Sequence, residues 1–252
     1  MNRNLVLGFL FGGWMLFSAC RPSYQVIHVE GGRVAMDSTW EAVIDVEMQT
    51  LVSPYKAKVD SVMFQVIGQA DVSMDARRPE SLLSNLVADV LRESASEVLG
   101  KPADMGLVNM GGLRSVLTKG PVTVANAYEI LPFENSLCVL TMKGDKLKQL
   151  FENIAVRGGE GVSGVKLQIS ADGKLLAAAL DGRPVEDVKD YTVATIDYLA
   201  EGNDGMAACL QASDRVCPED GTLRKLFIRY VEKLTRSGKK VTSRLEGRII
   251  VK

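Results

Sequence analysis

The sequence predicts an α+β fold, a single mixed-sheet domain with packed helices. Three observations carry this. Ser81 to Leu99 repeats apolar residues at helical spacing, several later segments alternate as strands, and the two kinds of element mix without a regular strand–helix–strand rhythm. At 252 residues, 46% hydrophobic and 24% charged, the chain is long enough to bury a sizeable core.

The N-terminus reads as a signal rather than as fold. Arg3 gives it a positive start, Leu5 to Phe17 is apolar, and Leu16-Phe17-Ser18-Ala19 leads into Cys20. Small residues before a cleavage point fit a secretory signal, and a cysteine directly after them resembles a lipobox. The expectation is a lipoprotein signal over 1–19, a lipidated Cys20, a tether over 20–37 and one domain over 38–252. A simple membrane anchor and a plain cleaved signal are the alternatives, and the apolar run is short for an anchor. The mature chain would sit in the cell envelope as a periplasmic or outer-membrane lipoprotein, anchored to a membrane without spanning it.

The elements follow in order. Trp40, Val43, Ile44, Met48, Leu51 and Val52 predict a helix from Ser38 to about Tyr55, ended by Ser53-Pro54. Val62, Phe64, Val66, Ala70 and Val72 alternate as strands over 59–74, with Gly68 as a break. Leu82, Leu83, Leu86, Val87, Val90 and Leu91 stripe one helix face over 81–99, and Gly100 stands where a C′ glycine belongs. Met105 to Asn109 reads as a short buried strand that runs into the turn Gly111-Gly112. Ala125 to Ile130 reads as a short helix, Ser136 to Met142 as a strand, and Lys143 to Val156 as an amphipathic helix. Strands follow at 164–170, 174–180 and 191–197, with turns at Asp172-Gly173 and Asp181-Gly182. A last helix covers 222–236 and a last strand 245–251.

Composition excludes several chemistries. His28 is the only histidine and lies in the tether, so a zinc hydrolase, a two-metal phosphatase and a Ser-His-Asp triad all lack their ligands or base. No Asp-x-Asp and no phosphate-binding G-x-x-x-x-G-K-[ST] loop occurs. A formal net charge of −1 gives no field to draw a nucleic acid polymer. Gly159-Glu-Gly161-Val-Ser-Gly164 spells G-x-G-x-x-G, but it follows a helix and opens a strand, the reverse of a dinucleotide fingerprint. It reads as a mobile glycine turn that a ligand can still approach. Cys209 and Cys217 flank a polar stretch and are the candidate pair for a bridge. Cys138, in the apolar run 137–140, reads as a small buried hydrophobe.

Four segments are polar or aromatic where packing does not need them: Arg77-Arg78-Pro79-Glu80, with Asn85 beyond it; Asn109 to Arg114; Leu131 to Asn135; and Asp197 to Gly205. Asn109 both donates and accepts, which suits a base edge. Arg77 and Arg114 can fork onto phosphate or sugar oxygens. Phe133 and Tyr198 can sandwich a base, and Asp204 can accept from two adjacent ribose hydroxyls.

In order and spacing these segments resemble the C-terminal domain of the 5′-nucleotidase family, over about residues 60–210. Glu80-Ser-Leu-Leu-Ser-Asn85-Leu-Val-Ala-Asp89 is similar to the family's E-x-x-x-G-N-L-x-x-D, and Asn109-Met-Gly-Gly-Leu-Arg114 to its N-G-G-G-I-R. Glu129-Ile-Leu-Pro-Phe133 is similar to E-x-L-P-F, and Tyr198-Leu-Ala-Glu-Gly-Asn-Asp204-Gly to Y/F-L-A-x-G-G-D-G. The resemblance implies that Phe133 and Tyr198 clamp the base, Asn109 bonds its edge, Asp204 holds the ribose, and Arg77 and Arg114 contact the sugar–phosphate side. Ser84, Met110 and Asn203 stand where the family has glycines.

The family's hydrolysis is carried by an N-terminal domain with two divalent metals, and residues 21–58 are all that precede the match here. The resemblance therefore implies no metal cofactor on this chain, and the nucleotide-binding half of a 5′-nucleotidase partnered by a separate metallophosphatase. The alternative is a non-catalytic, lipid-anchored protein that scavenges or senses nucleosides or nucleotides.

Overall fold

The computed structural model describes residues 26–39 and 44–252. The signal segment, Cys20, Trp40 and Val43 lie outside the described residues. The chain divides into a unit ending at Val52 and a second unit, Ser53–Lys252. Everything that bears on the site belongs to the second.

The first helix among the described residues, α1 (Val46–Met63), differs from the expected 38–55. It starts later because Asp45 caps it, accepting from the Met48 amide through Oδ1 at 3.0 Å and from the Gln49 amide through its carbonyl at 2.9 Å. It runs through Pro54 rather than ending there. Val62 is therefore helical, and the predicted strands over 59–74 reduce to β1 (Val66–Ala70). Gly68 is not a break but a point of close packing. A Cβ there would stand 2.5 Å from Val231 Cγ1 and 2.7 Å from Thr235 Oγ1 of the last long helix.

The next helix, α2 (Leu82–Leu99), forms as the apolar stripe predicts, with Leu83, Leu86, Val87, Val90 and Leu91 buried and Gly100 left-handed at φ 64°. Ser84, in place of the family's glycine, accepts from the Ser81 amide through Oγ at 3.2 Å and so tightens the first turn. After it come β2 (Met105–Val108), β3 (Gly120–Thr123), α3 (Val124–Ile130), β4 (Leu137–Lys143) and α4 (Gly144–Val156). Then follow β5 (Gly161–Ser163), β6 (Val165–Ile169), β7 (Leu175–Leu180), β8 (Asp190–Ile196), the short α5 (Asp197–Ala200), β9 (Asp214–Val216), α6 (Leu223–Arg236) and β10 (Ile249–Val251).

The α+β class holds, and the described strands form three sheets: β5-β2-β8-β4-β9, β10-β6-β7 and the pair β1-β3. In the largest, β2 and β8 run parallel and the other pairs antiparallel. The strands β2, β4 and β8 are almost wholly buried. α2 packs on β2 and β5, and α6 packs on β1 and α2.

Two further expectations change. The last strand is shorter than 245–251 because residues 244–248 are tied sideways to α2. Glu80 accepts from the Glu246 and Arg248 amides, Asn85 Nδ2 donates to the Arg244 carbonyl at 3.0 Å, and Asp89 takes both arms of Arg248 at 2.8 Å. The disulfide joins Cys138 to Cys217, while Cys209 is a free, buried thiol. Cys138 is buried as expected, but β4 pairs with β9 beside it, and that pairing brings Cys217 to it rather than to Cys209.

Candidate functional site

The strands of the large sheet deliver their loops to one place. At the end of β2 the chain turns through a single 3-10 turn, Met110–Gly112. At the end of β8 it enters α5 and then the loop 201–205. Before β4 it passes through Pro132-Phe133-Glu134-Asn135. Together these segments enclose a cavity of about 260 Å³ lined by Asn109, Gly111, Gly112, Phe133, Asn135, Tyr198 and Asp204. Four of the six predicted binding residues thus meet in one cavity.

The two rings are 49% and 40% exposed at Phe133 and Tyr198. Core aromatics would be covered, whereas these rings stay partly open to solvent at the cavity wall. The loop carrying Phe133 is held from α6. Arg224, itself buried, donates through Nη1 to the Leu131 carbonyl at 2.9 Å and the Pro132 carbonyl at 3.2 Å, pairs with Glu134, and lies 4.0 Å over the Tyr128 ring. The Leu223 amide adds a bond to the Asn135 carbonyl at 2.8 Å.

Asp204 is held with care. Its φ of 52° is left-handed, between Gly202 and Gly205, which are also left-handed. Asn203, where the family has glycine, donates through Nδ2 to the Tyr198 carbonyl at 2.9 Å and closes the loop. Asp204 Oδ2 accepts from Asn109 Nδ2 at 2.8 Å. That contact fixes the Asn109 amide, because the opposite orientation would set its oxygen against a carboxylate. Asn109 Oδ1 then packs against Gly112, where a Cβ would come within 2.7 Å, and has no hydrogen-bond partner among the described residues. Asn109 therefore faces Asp204 as well as the cavity, a use the sequence does not foretell.

The predicted arginines are placed differently. Arg77 is an exposed residue paired with Asp75 at 3.4 Å and does not line the cavity. Arg114 is exposed and reaches the site only by donating to the Gly111 carbonyl at 3.3 Å. Three polar residues were missed. Asn135 lines the cavity; Arg157 lies 3.6 Å from Asp204 Oδ1; and Glu160, fully buried, accepts from Arg78, Arg157 and the Met110 amide. Only Asn135, beside Phe133 in a segment already singled out, had a signal that could have found it.

The glycine turn at 159–164 is packed, not mobile. A Cβ on Gly159 would stand 2.5 Å from the Pro79 carbonyl oxygen, and one on Gly161 would stand 2.6 Å from Val108 Cγ1. These glycines admit the protein's own chain, not a ligand. Glu80, Asn85 and Asp89 also leave the site, since they anchor the C-terminal segment to α2.

His28 hydrogen bonds to Glu30 on an exposed segment, and among the described residues no three His, Cys, Asp or Glu side chains converge as a metal site would need.

The same fold recurs in known proteins. The family described as 5′-nucleotidase, C-terminal domain, matches residues 66–211. The chain is 27% identical to the trifunctional nucleotide phosphoesterase protein YfkN of Bacillus subtilis, a match covering 87% of this chain and 17% of that protein. It is 29% identical to the NAD 5′-nucleotidase of Haemophilus influenzae, over 64% of this chain and 31% of that one. Among solved structures, the 5′-nucleotidase precursor from Thermus thermophilus superposes with a TM-score of 0.70 at 30% identity, over 82% of this chain and 43% of that one. The chain thus spans well under half the length of these relatives.

Proposed function

Because the chain belongs to the 5′-nucleotidase C-terminal domain family, we propose that the cavity binds the base and ribose of a nucleoside or nucleotide, and that the chain is the nucleotide-binding half of a 5′-nucleotidase. One observation supports this above the others. Two exposed rings, two asparagines and a carboxylate meet around a single cavity, which is the set a base and a vicinal diol require. Phe133 and Tyr198 offer faces for stacking, Asn135 offers an amide for a base edge, and Asp204 offers acceptors for ribose hydroxyls. Arg114 stands beside the Gly111-Gly112 wall, where it can meet phosphate on a ligand that extends from the cavity; Arg77, exposed and paired with Asp75, does not line the cavity.

Hydrolysis needs a metal-activated water that these residues do not hold. In this reading it comes from a separate metallophosphatase polypeptide, and the two meet in the cell envelope. The signal-like N-terminus supports that location, and lipidation at Cys20 would keep the chain on a membrane beside its partner. A binding protein without catalysis remains the other reading, and a mixing experiment separates the two.

The purified chain should release no phosphate from AMP with Mn²⁺, Co²⁺ or Zn²⁺. By calorimetry it should bind adenosine or AMP. Phe133→Ala should weaken binding by the 1–3 kcal/mol of a lost base stack, about 5- to 150-fold, and Asp204→Ala should weaken it too. A panel of nucleosides and nucleotides giving no heat would refute the binding role. Adding an exported metallophosphatase encoded beside this gene should raise nucleotidase activity; no change would favour the binding protein.

A further inference from the structure

We propose that Glu160 and Arg157 are positioning residues for this cavity: Glu160 fixes Arg157 and the turn at Met110, and Arg157 holds the Asp204 carboxylate where it reads two adjacent ribose hydroxyls. The inference rests on the nucleoside-binding reading and names what sets its preference for ribose.

Glu160 is the centre of the arrangement. Its side chain is 0% exposed. A carboxylate taken so far out of water persists only when it is fully paired. Its partners come from three separate segments. Arg78, on the loop before α2, donates through Nη2; Arg157, just past the end of α4, donates through Nε at 3.1 Å; and Met110, in the turn after β2, donates its amide. Arg78 also binds the Gly159 carbonyl at 2.8 Å. The flanking glycines explain how the carboxylate gets there. Gly159, with φ 105°, lies against Pro79, and Gly161 lies against Val108 and Ser84, so the segment sits deeper than any residue with a side chain allows.

Two of these partners lead to the cavity. Met110 is the first residue of the 3-10 turn whose Gly111 and Gly112 form the wall. Arg157 stands with Nη2 3.6 Å from Asp204 Oδ1, while Asn109 Nδ2 holds Oδ2 at 2.8 Å. Each oxygen of Asp204 thus faces a protein donor. An ionised carboxylate has about four acceptor sites, so capacity for two further donors remains, and a vicinal diol supplies two. Asn109 alone would leave the carboxylate free to turn about that single bond. Arg157 provides the second constraint, and Glu160 fixes Arg157.

The test is calorimetry with adenosine and 2′-deoxyadenosine on the full chain. The unsubstituted chain should prefer adenosine by about tenfold, the worth of one good hydrogen bond to a charged acceptor. Arg157→Met should reduce that preference to about two- to threefold; it also takes one of three partners from buried Glu160, so the melting temperature should fall as well, and the ratio is the deciding readout. In an Asp204→Asn background, Arg157→Met should have no further effect. Glu160→Gln should reduce the preference too, and should speed hydrogen exchange at the amides of residues 110–112. A merely structural role would lower the melting temperature and leave the ratio alone. Adenosine bound with an unchanged ratio in Arg157→Met would overturn this inference and leave the functional reading standing. An unsubstituted chain that binds neither nucleoside would overturn both.

Discussion

Removing the Cys138–Cys217 bridge tests how the site is held as well as how the domain is stabilised. The bridge closes a loop with a sequence separation of 79. In the chain-entropy account, closing a loop of roughly 80 residues removes about 15 cal/mol/K from the unfolded ensemble, or about 4.5 kcal/mol at 25 °C. Natural bridges deliver somewhat less, so Cys138→Ala/Cys217→Ala should cost about 2–4 kcal/mol. The bridge also ends the segment 218–224. That segment bonds back through Gly221 to Leu137 and through Leu223 to Asn135, and it carries Arg224 under the Phe133 loop. Nucleoside affinity should therefore fall together with stability. Urea unfolding of protein made in an oxidising compartment gives the first quantity and calorimetry the second. Peptide mapping without reductant identifies the bridge. A map linking Cys209 to Cys217, or a stability difference under about 1 kcal/mol, would refute the reasoning.

Three other perturbations have definite outcomes. Arg224→Met removes charge-assisted bonds to two carbonyls and a cation over Tyr128, and should cost about 2–4 kcal/mol, visible as a fall of roughly 4–16 °C in melting temperature; a fall under about 2 °C would show that the loop holds without it. Gly159→Ala forces a left-handed residue against the Pro79 carbonyl, where a Cβ would approach to 2.5 Å, and should cost about 2–3 kcal/mol; a variant as stable as the parent in urea would contradict the packing. Burial pushes the Cys209 thiol up to about 12 from 9.0. Iodoacetamide at about pH 8, below the thiol's ordinary range, should therefore leave it unmodified in the folded chain and label it in urea. Stability from this thiol is complete below about pH 9 and is lost as pH rises toward about 12, because the unfolded chain ionises first. Rapid native labelling would show that the group is reachable.

Much of the fold is legible because local signals agree with tertiary packing. The stripe of α2, the Gly100 cap and the strands β4, β6, β7 and β8 all follow from periodicity and turn residues. The failures have particular causes. α1 continues through Pro54 although none of its residues is buried, and nothing in the structure explains why the proline does not end it. β3, β5 and β9 are three or four residues long, too short to alternate. The three-sheet arrangement depends on long-range pairing such as β10 on β6. The disulfide escapes a reading of spacing because nearness along the chain is not nearness in space. For the site, residues with aromatic or loop character stand out, and four of them converge. Arg157 and Glu160 do not stand out, because a helix-end arginine and a glutamate among glycines look like surface. Glu80, Asn85 and Asp89 stand out for the opposite reason, since polar residues that tie two segments together resemble polar residues that bind a ligand.

The large sheet ends on both sides in strands of three residues, β5 and β9. β5 is buried beneath α2, and β9 presents Asp214 and Arg215 to water. A free edge adds a foreign strand only if it offers a row of unpaired amides and carbonyls long enough to align. Here one edge is covered, and the other is brief and charged. The sheet that bears the cavity is thus a poor template for joining copies of the chain edge to edge.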